Sequence, residues 1–182
     1  YAYSDQDDVW DENKLNKAIQ HLDNLNSDKP SLYYSNLKVV DENLNFKQML
    51  FKKNIVKNTF EQSLSQVFCF ACTTVFNLNM IDEILKYNFN QIGFDSCLYY
   101  LGILNNNIYY DENSYIYYRQ HRNNVSGEHT KNIRYYILKI SHYLKSNQHS
   151  NIYLNSKFIF ENFYQYLSIN EKNLLMKIIN TK

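Results

Sequence analysis

Glycine and proline are nearly missing from this chain, with 3 Gly and 1 Pro in 182 residues. That scarcity excludes a Gly/Ser-rich or Pro-rich linker, so a single globular unit is the expectation. An excess of one charge is lacking too. Lys and Arg total 19 against 18 Asp and Glu, and a net charge of +1 excludes the long-range field that gathers nucleic acid or anionic lipid. No apolar run approaches the ~20 residues that a bilayer-spanning helix needs, and Tyr1 to Asp8 has no basic leader region. A soluble chain, at most peripheral to a membrane, is expected. Cysteine is sparse and odd in number. Cys69, Cys72 and Cys97 sit inside apolar stretches, which excludes a disulfide scaffold and implies a reducing, cytoplasmic setting. Cys69-Phe70-Ala71-Cys72 matches C-x-x-C, but the chain has no second pair to complete a tetrahedral zinc site, so buried strand cysteines are expected.

What is present is an ordinary core and many aromatics: 45% hydrophobic residues, 16% aromatic, 18 Tyr. Tyr combines a large contact face with a polar tip, which suits a carbohydrate protein without demanding one. Tyr1-Ala2-Tyr3-Ser4 reads as the last residues of a strand delivering Asp5-Gln6-Asp7-Asp8 to its carboxyl end. Leu15, Ala18, Ile19, Leu22 and Leu25 recur at helical spacing, predicting a helix over 13–25 with Asp11 as a candidate cap. Ser31 to Val40 and Val67 to Phe76 read as strands, with Asp41-Glu42-Asn43 turning the chain after the first. Helices are expected over 80–87 and 95–104. Short strands are expected over 107–110 and 114–118, separated by Asp111-Glu112-Asn113. This alternation predicts an α/β layer fold. From about Thr130 the pattern turns helical, with Ile133, Tyr136, Ile137, Ile140 and Leu144 on one face, then helices over 158–167 and 171–179.

Three segments carry chemistry. Asp5, Asp7 and Asp8 place three carboxylates within four residues, a density that a hard divalent cation relieves; equally, Asp7, Asp8 and Asp11 can serve as helix caps. Tyr118-Arg119-Gln120-His121-Arg122-Asn123-Asn124-Val125-Ser126-Gly127 follows an aromatic strand. Arg forks onto phosphate and neutral His ligates metal, yet such a run is also an ordinary solvated turn. Asp95 stands between Gly93-Phe94 and an apolar helix, as a general base or as an N-cap.

Taken in order, these segments resemble bacterial family 2 glycosyltransferases of the rhamnosyltransferase type. Ser4-Asp5-Gln6-Asp7-Asp8-Val9-Trp10 with Asn13-Lys14-Leu15 is similar to the family's acidic metal motif and its following helix. Leu32-Tyr33-Tyr34-Ser35-Asn36 with Val39-Val40-Asp41, Cys72-Thr73-Thr74-Val75-Phe76-Asn77, and Tyr117-Tyr118-Arg119-Gln120-His121 with Asn123, Asn124 and Gly127 resemble its later motifs. This chain departs from the pattern at Ala71, where a Gly is common, and at Phe94, where the family usually has a His before its base.

The resemblance implies a mixed-sheet, GT-A-like (nucleotide-diphospho-sugar transferase) fold. Residues 1–128 would form part of the catalytic domain and residues 129–182 a helical appendage of the same unit. It implies that Asp5 contacts the donor, that Asp7 and His121 hold Mn²⁺ or Mg²⁺, that Arg119 braces the diphosphate, and that Asp95 is the catalytic base. Trp10 is expected to pack the first helix on the sheet. The implied partners are a UDP- or dTDP-sugar donor and a glycan or lipid-linked acceptor, at the inner face of the plasma membrane, with no nucleic acid. Family members begin with a strand, helix and strand that build the nucleotide-base pocket. By resemblance that portion is missing before Tyr1, so a fragment or one piece of a split gene, weakly active or inactive alone, is the expectation. The alternative is a non-catalytic sugar- or partner-binding remnant of the same fold.

Overall fold

The computed structural model describes residues 1–119 and 148–181. In chain order the elements are β1 (Val9–Trp10), α1 (Lys14–Leu22), β2 (Leu32–Val40), β3 (Phe46–Met49), α2 (Phe60–Ser65), β4 (Thr74–Phe76), α3 (Leu78–Ile84), α4 (Phe94–Leu104), β5 (Ile108–Arg119), α5 (Gln148–Asn162) and α6 (Ile169–Asn180). They form an α/β fold, a mixed sheet with helices on both faces.

β2 is the central strand because its run of β-branched and aromatic residues suits burial on both faces, and all of it but Lys38 is buried. On one flank it pairs in parallel with β5. The other flank is shared, with β4 antiparallel along Leu32–Tyr34 and β3 antiparallel along Lys38–Val40. β1 pairs antiparallel with the far end of β5, Val9 opposite Tyr117 and Trp10 opposite Ile116. Tyr1 to Ser4 is extended backbone rather than a full strand: Ala2 bridges Val75, and Tyr1 and Phe76 exchange hydrogen bonds. The chain thus leaves the β4 side of the sheet, crosses over β2 through Asp5–Asp8, and rejoins the sheet beside β5.

Alternation along β2 sorts the core. Leu32 and Tyr34 face α2, α4 and the C-terminal helices, in one cluster with Leu98, Leu101, Phe158, Phe163 and Leu175. Tyr33 faces α1 through Ala18, while Leu37 and Val39 lie with Cys72, Ile116 and Trp10. Trp10 therefore packs on the sheet from β1, on the same face as α1.

Several expectations are corrected. The strand expected over Val67–Phe76 is confined to Thr74–Phe76, preceded by a 3-10 turn at Ala71–Thr73. The hydroxyls of Thr73 and Thr74 donate back to the carbonyls of Phe70 and Ala71 (both 2.7 Å), closing a turn that competes with the strand. Cys69 and Cys72 are buried and free as expected, but lie outside any strand, and Cys97 is on α4. The two short strands expected around Asp111 are one strand. Glu112 and Asn113 bulge out of the register between Ser35 opposite Asp111 and Asn36 opposite Ser114. The buried face of α1 is also rotated from expectation. Lys14 and Ala18 are buried, whereas Leu15 and Ile19 are 42% and 50% exposed. β3 and α2 were not legible in the sequence. The residues expected to form a helix over Ile133–Leu144 lie outside the described part.

Candidate functional site

The acidic loop lies over the carboxyl ends of the parallel strands β2 and β5. Asp8 points inward. Its Oδ1 accepts the backbone N–H of Arg119 (3.2 Å), the last residue of β5, and its Oδ2 is buried with no hydrogen-bond donor beyond the weak S–H of Cys72 nearby. Burial raises the Asp8 carboxyl above its ordinary range, the Arg119 N–H opposes this, and Asp7 and Asp5 push it further up. Asp5, Asp8 and Cys72 bring their ligand atoms within 4.8 Å of one another. Cys72 is not a metal-ready thiolate, because burial and then the carboxylates of Asp8 and Asp5 hold its proton on.

Lys14 lies beneath the loop. It is 1% exposed, and its Nζ donates to the Cys72 carbonyl (2.7 Å) and sits 3.5 Å from the centre of the Trp10 ring. Burial lowers its pKa to about 8, opposed by the attraction of Asp8 and Asp5. Asp11, expected as the cap of α1, instead forms a turn just ahead of it, its Oδ1 accepting the Asn13 N–H (2.9 Å), and the N-cap is Asn13, which has no side-chain cap bond.

Asp95 reaches the same region from another element. It lies in the first turn of α4 after Gly93, whose φ of 83° only glycine adopts without strain. Burial raises its carboxyl above the usual range, the Ala71 N–H lowers it, and Asp5 raises it again. Ala71 belongs to the turn that carries Cys72, so the turn contacts both Asp95 and, through Lys14, the acidic loop.

Of the residues singled out in the sequence, Asp5, Asp7, Asp95 and Arg119 are thus brought into one neighbourhood. His121 lies outside the described residues. Lys14 and Cys72 were not anticipated as parts of the site. Lys14 was detectable in principle, since it stands four residues before Ala18 and so shares the inward face of α1.

The convergent group among the described residues is two carboxylates, Asp5 and Asp8, with the protonated Cys72 thiol: the carboxylates suit a hard divalent ion and the thiol does not. Three carboxylates crowd the loop, the Asp8 one with a buried Oδ2, and the buried Lys14 ammonium attracts Asp8 and Asp5. No protein-family model, curated protein or solved structure matches this chain. No helix among the described residues is long and apolar enough to cross a membrane.

Proposed function

We propose that this chain carries the metal-binding and acceptor-side site of a GT-A-like, inverting glycosyltransferase. It would transfer a sugar from a UDP- or dTDP-linked donor to a glycan or lipid-linked acceptor in the cytoplasm, at the inner face of the plasma membrane. The observation that carries the reading is that two carboxylate sources lie within electrostatic reach of each other: the Asp5–Asp8 loop, and Asp95 in the first turn of α4, bonded to the Ala71 N–H of the turn that carries Cys72. Asp5 would contact the donor, and Asp7 would hold Mn²⁺ or Mg²⁺ on its diphosphate. His121 is the further ligand that the sequence supplies. A divalent ion there would neutralise the departing diphosphate. Asp95 would accept the proton of the acceptor hydroxyl as that oxygen attacks the anomeric carbon and the bond to the diphosphate breaks. A carboxyl with a raised pKa is the stronger base for that step. Arg119 would brace the diphosphate.

Lys14 favours a second reading. A buried ammonium already offsets part of the acid charge, as expected of a remnant that keeps the fold and binds a sugar or a partner without transfer. Thermal unfolding with Mn²⁺, with UDP or dTDP, and with both distinguishes the two, because a ligand of the folded state raises its midpoint. The transferase reading expects a rise with Mn²⁺ that grows with the nucleotide and disappears in Asp7→Ala. Equal metal binding by Asp7→Ala would remove Asp7 from the site, and no response to metal would favour the remnant.

A further inference from the structure

The β3 edge of the sheet is apolar and basic at once. β3 ends the strand order, and the chain after it stays beside β2, the Leu50 N–H donating to the Leu37 carbonyl (3.0 Å) and the Phe51 N–H to Asn36 Oδ1 (3.1 Å). Along this edge Phe46, Ile55 and Leu44 are 61%, 45% and 41% exposed. Lys47, Lys52, Lys53 and Lys57 are exposed among them, and from Leu44 to Lys57 the sequence has no acid and no arginine. Leu44 is the most informative of these residues. Its φ of 65° is left-handed, a conformation that strains a branched side chain and that asparagine, its neighbour on either side, adopts more easily. The turn holds that strain in place: Asp41 Oδ1 accepts the N–H groups of Asn43 (2.9 Å) and Asn45 (3.0 Å), and the Leu44 N–H donates to the Asp41 carbonyl (3.0 Å). The loop after β3 is fastened as well, Glu112 accepting the Asn54 N–H (2.8 Å) and Gln62 Nε2 donating to the Ile55 carbonyl (2.8 Å). Firmly held backbone thus presents apolar side chains to water, and Glu42 is the exposed acid at the tip.

We infer that this edge docks on an anionic lipid bilayer: Leu44, Phe46 and Ile55 enter the interface while Lys47, Lys52, Lys53 and Lys57 meet the lipid phosphates. The whole chain's charge of +1 supplies no long-range pull, so the attraction acts at close range, within about 10 Å. Two other occupants fit less well. A second copy adding its own β3 would set the same four lysines against each other, which is how natural edge strands resist pairing. Nucleic acid is gripped by arginine forks and by flat rings that stack on bases, whereas two of the three apolar side chains here are aliphatic and arginine is absent from the segment. A lipid surface at this edge deepens the reading of a lipid-linked acceptor and rests on that reading for its setting.

Co-sedimentation with phosphatidylcholine vesicles, with and without phosphatidylserine, tests this on the whole chain and needs neither donor nor metal. Binding is expected only with phosphatidylserine and should weaken as salt rises. Leu44→Asn relieves the strained backbone, so it should unfold at the same or a higher temperature, yet bind about tenfold more weakly or worse. Lys52→Gln combined with Lys53→Gln should weaken binding about 30-fold, about fivefold per lysine. No binding to the phosphatidylserine vesicles overturns the inference, as does binding that either variant retains in full. A dimer in vesicle-free solution that Leu44→Asn dissociates also overturns it, in favour of a second copy. Tighter binding to a single-stranded oligonucleotide than to the vesicles overturns it in favour of nucleic acid. The transferase reading is decided separately: a response to Mn²⁺ and UDP without vesicle binding sinks only the docking surface, and vesicle binding without that response sinks only the transferase.

Discussion

Asp95 shows how one residue carries a functional and a structural consequence at once. Its carboxyl is raised by burial and by Asp5, against the pull of the Ala71 N–H. A carboxyl whose folded pKa exceeds its unfolded value binds its proton more tightly in the folded state. Its charge therefore costs stability at neutral pH, and the cost fades as pH falls through the folded value towards 3.8. Asp95→Asn should accordingly raise the unfolding midpoint by a few degrees at pH 7, with the gain vanishing near pH 4. On the proposed transferase reading, Asp95→Asn should slow transfer by about 100- to 10,000-fold, the usual contribution of a general base. Thermal scans at the two pH values check the first half; a lower midpoint at pH 7 would mean that the Ala71 bond outweighs burial. Asp95 was legible in the sequence as an acid at a helix start, but its nearness to Asp5 was not. That proximity depends on the turn at Ala71–Thr73, which local pattern misread as strand. Lys14 was missed for a related reason. Charged residues are rarely buried, so periodicity assigned the inward face of α1 to its apolar neighbours.

At the scale of elements, α4 is pressed against the sheet through Gly102. A methyl group added there would lie 3.1 Å from Ile108 Cδ1, 3.2 Å from Ile108 Cβ and 3.3 Å from Leu32 Cβ. Two of those atoms are fixed to strand backbones and cannot rotate away. Ala is favoured over Gly within a helix by about 1 kcal/mol, but overpacking of this kind costs about 1–3 kcal/mol, and the sheet contact should win. Gly102→Ala is expected to destabilise the fold by about 1 kcal/mol. It should also displace α4 enough to weaken any site that depends on Asp95 at its first turn. Urea unfolding measures the first effect, and a more stable variant would show that helix and sheet separate easily. α4, β2 and α3 were readable from the sequence because each combines a strong apolar run with a clear boundary, such as Asn77, whose side chain accepts the Met80 N–H. β3 was not readable. Only Phe46–Met49 form it, half of them exposed, so neither length nor alternation distinguishes it from loop. β5 was read as two strands because Asp111-Glu112-Asn113 has turn composition. Asp111 does make a turn-like bond to the Asn113 N–H (2.9 Å), but the parallel pairing with β2 on either side turns it into a bulge.

For the molecule as a whole, the open question is whether the C-terminal helices unfold with the sheet or apart from it. Phe163, between α5 and α6, is fully buried. Its ring meets Tyr87 at 4.8 Å and Phe158 at 5.6 Å, in the same cluster as Leu32 and Tyr34 of the central strand. Gln165 donates to the Tyr87 hydroxyl (3.0 Å), adding a polar tie between the tail and the segment after α3. Phe163→Ala should cost about 3–5 kcal/mol, a large share of the roughly 5–15 kcal/mol that holds a domain together. If the tail shares the sheet's core, that loss must reach the opposite face. Trp10 is the single tryptophan and packs with Leu37, Val39 and Ile116 on the far side of the sheet. Its emission is therefore a remote probe, and helical circular dichroism is a local one. One core requires the two signals to shift down together in Phe163→Ala and to stay coincident. Loss of helix signal ahead of Trp10 emission would instead make the tail a separate unit, and the acidic loop, α4 and the sheet would then have to retain their arrangement without it.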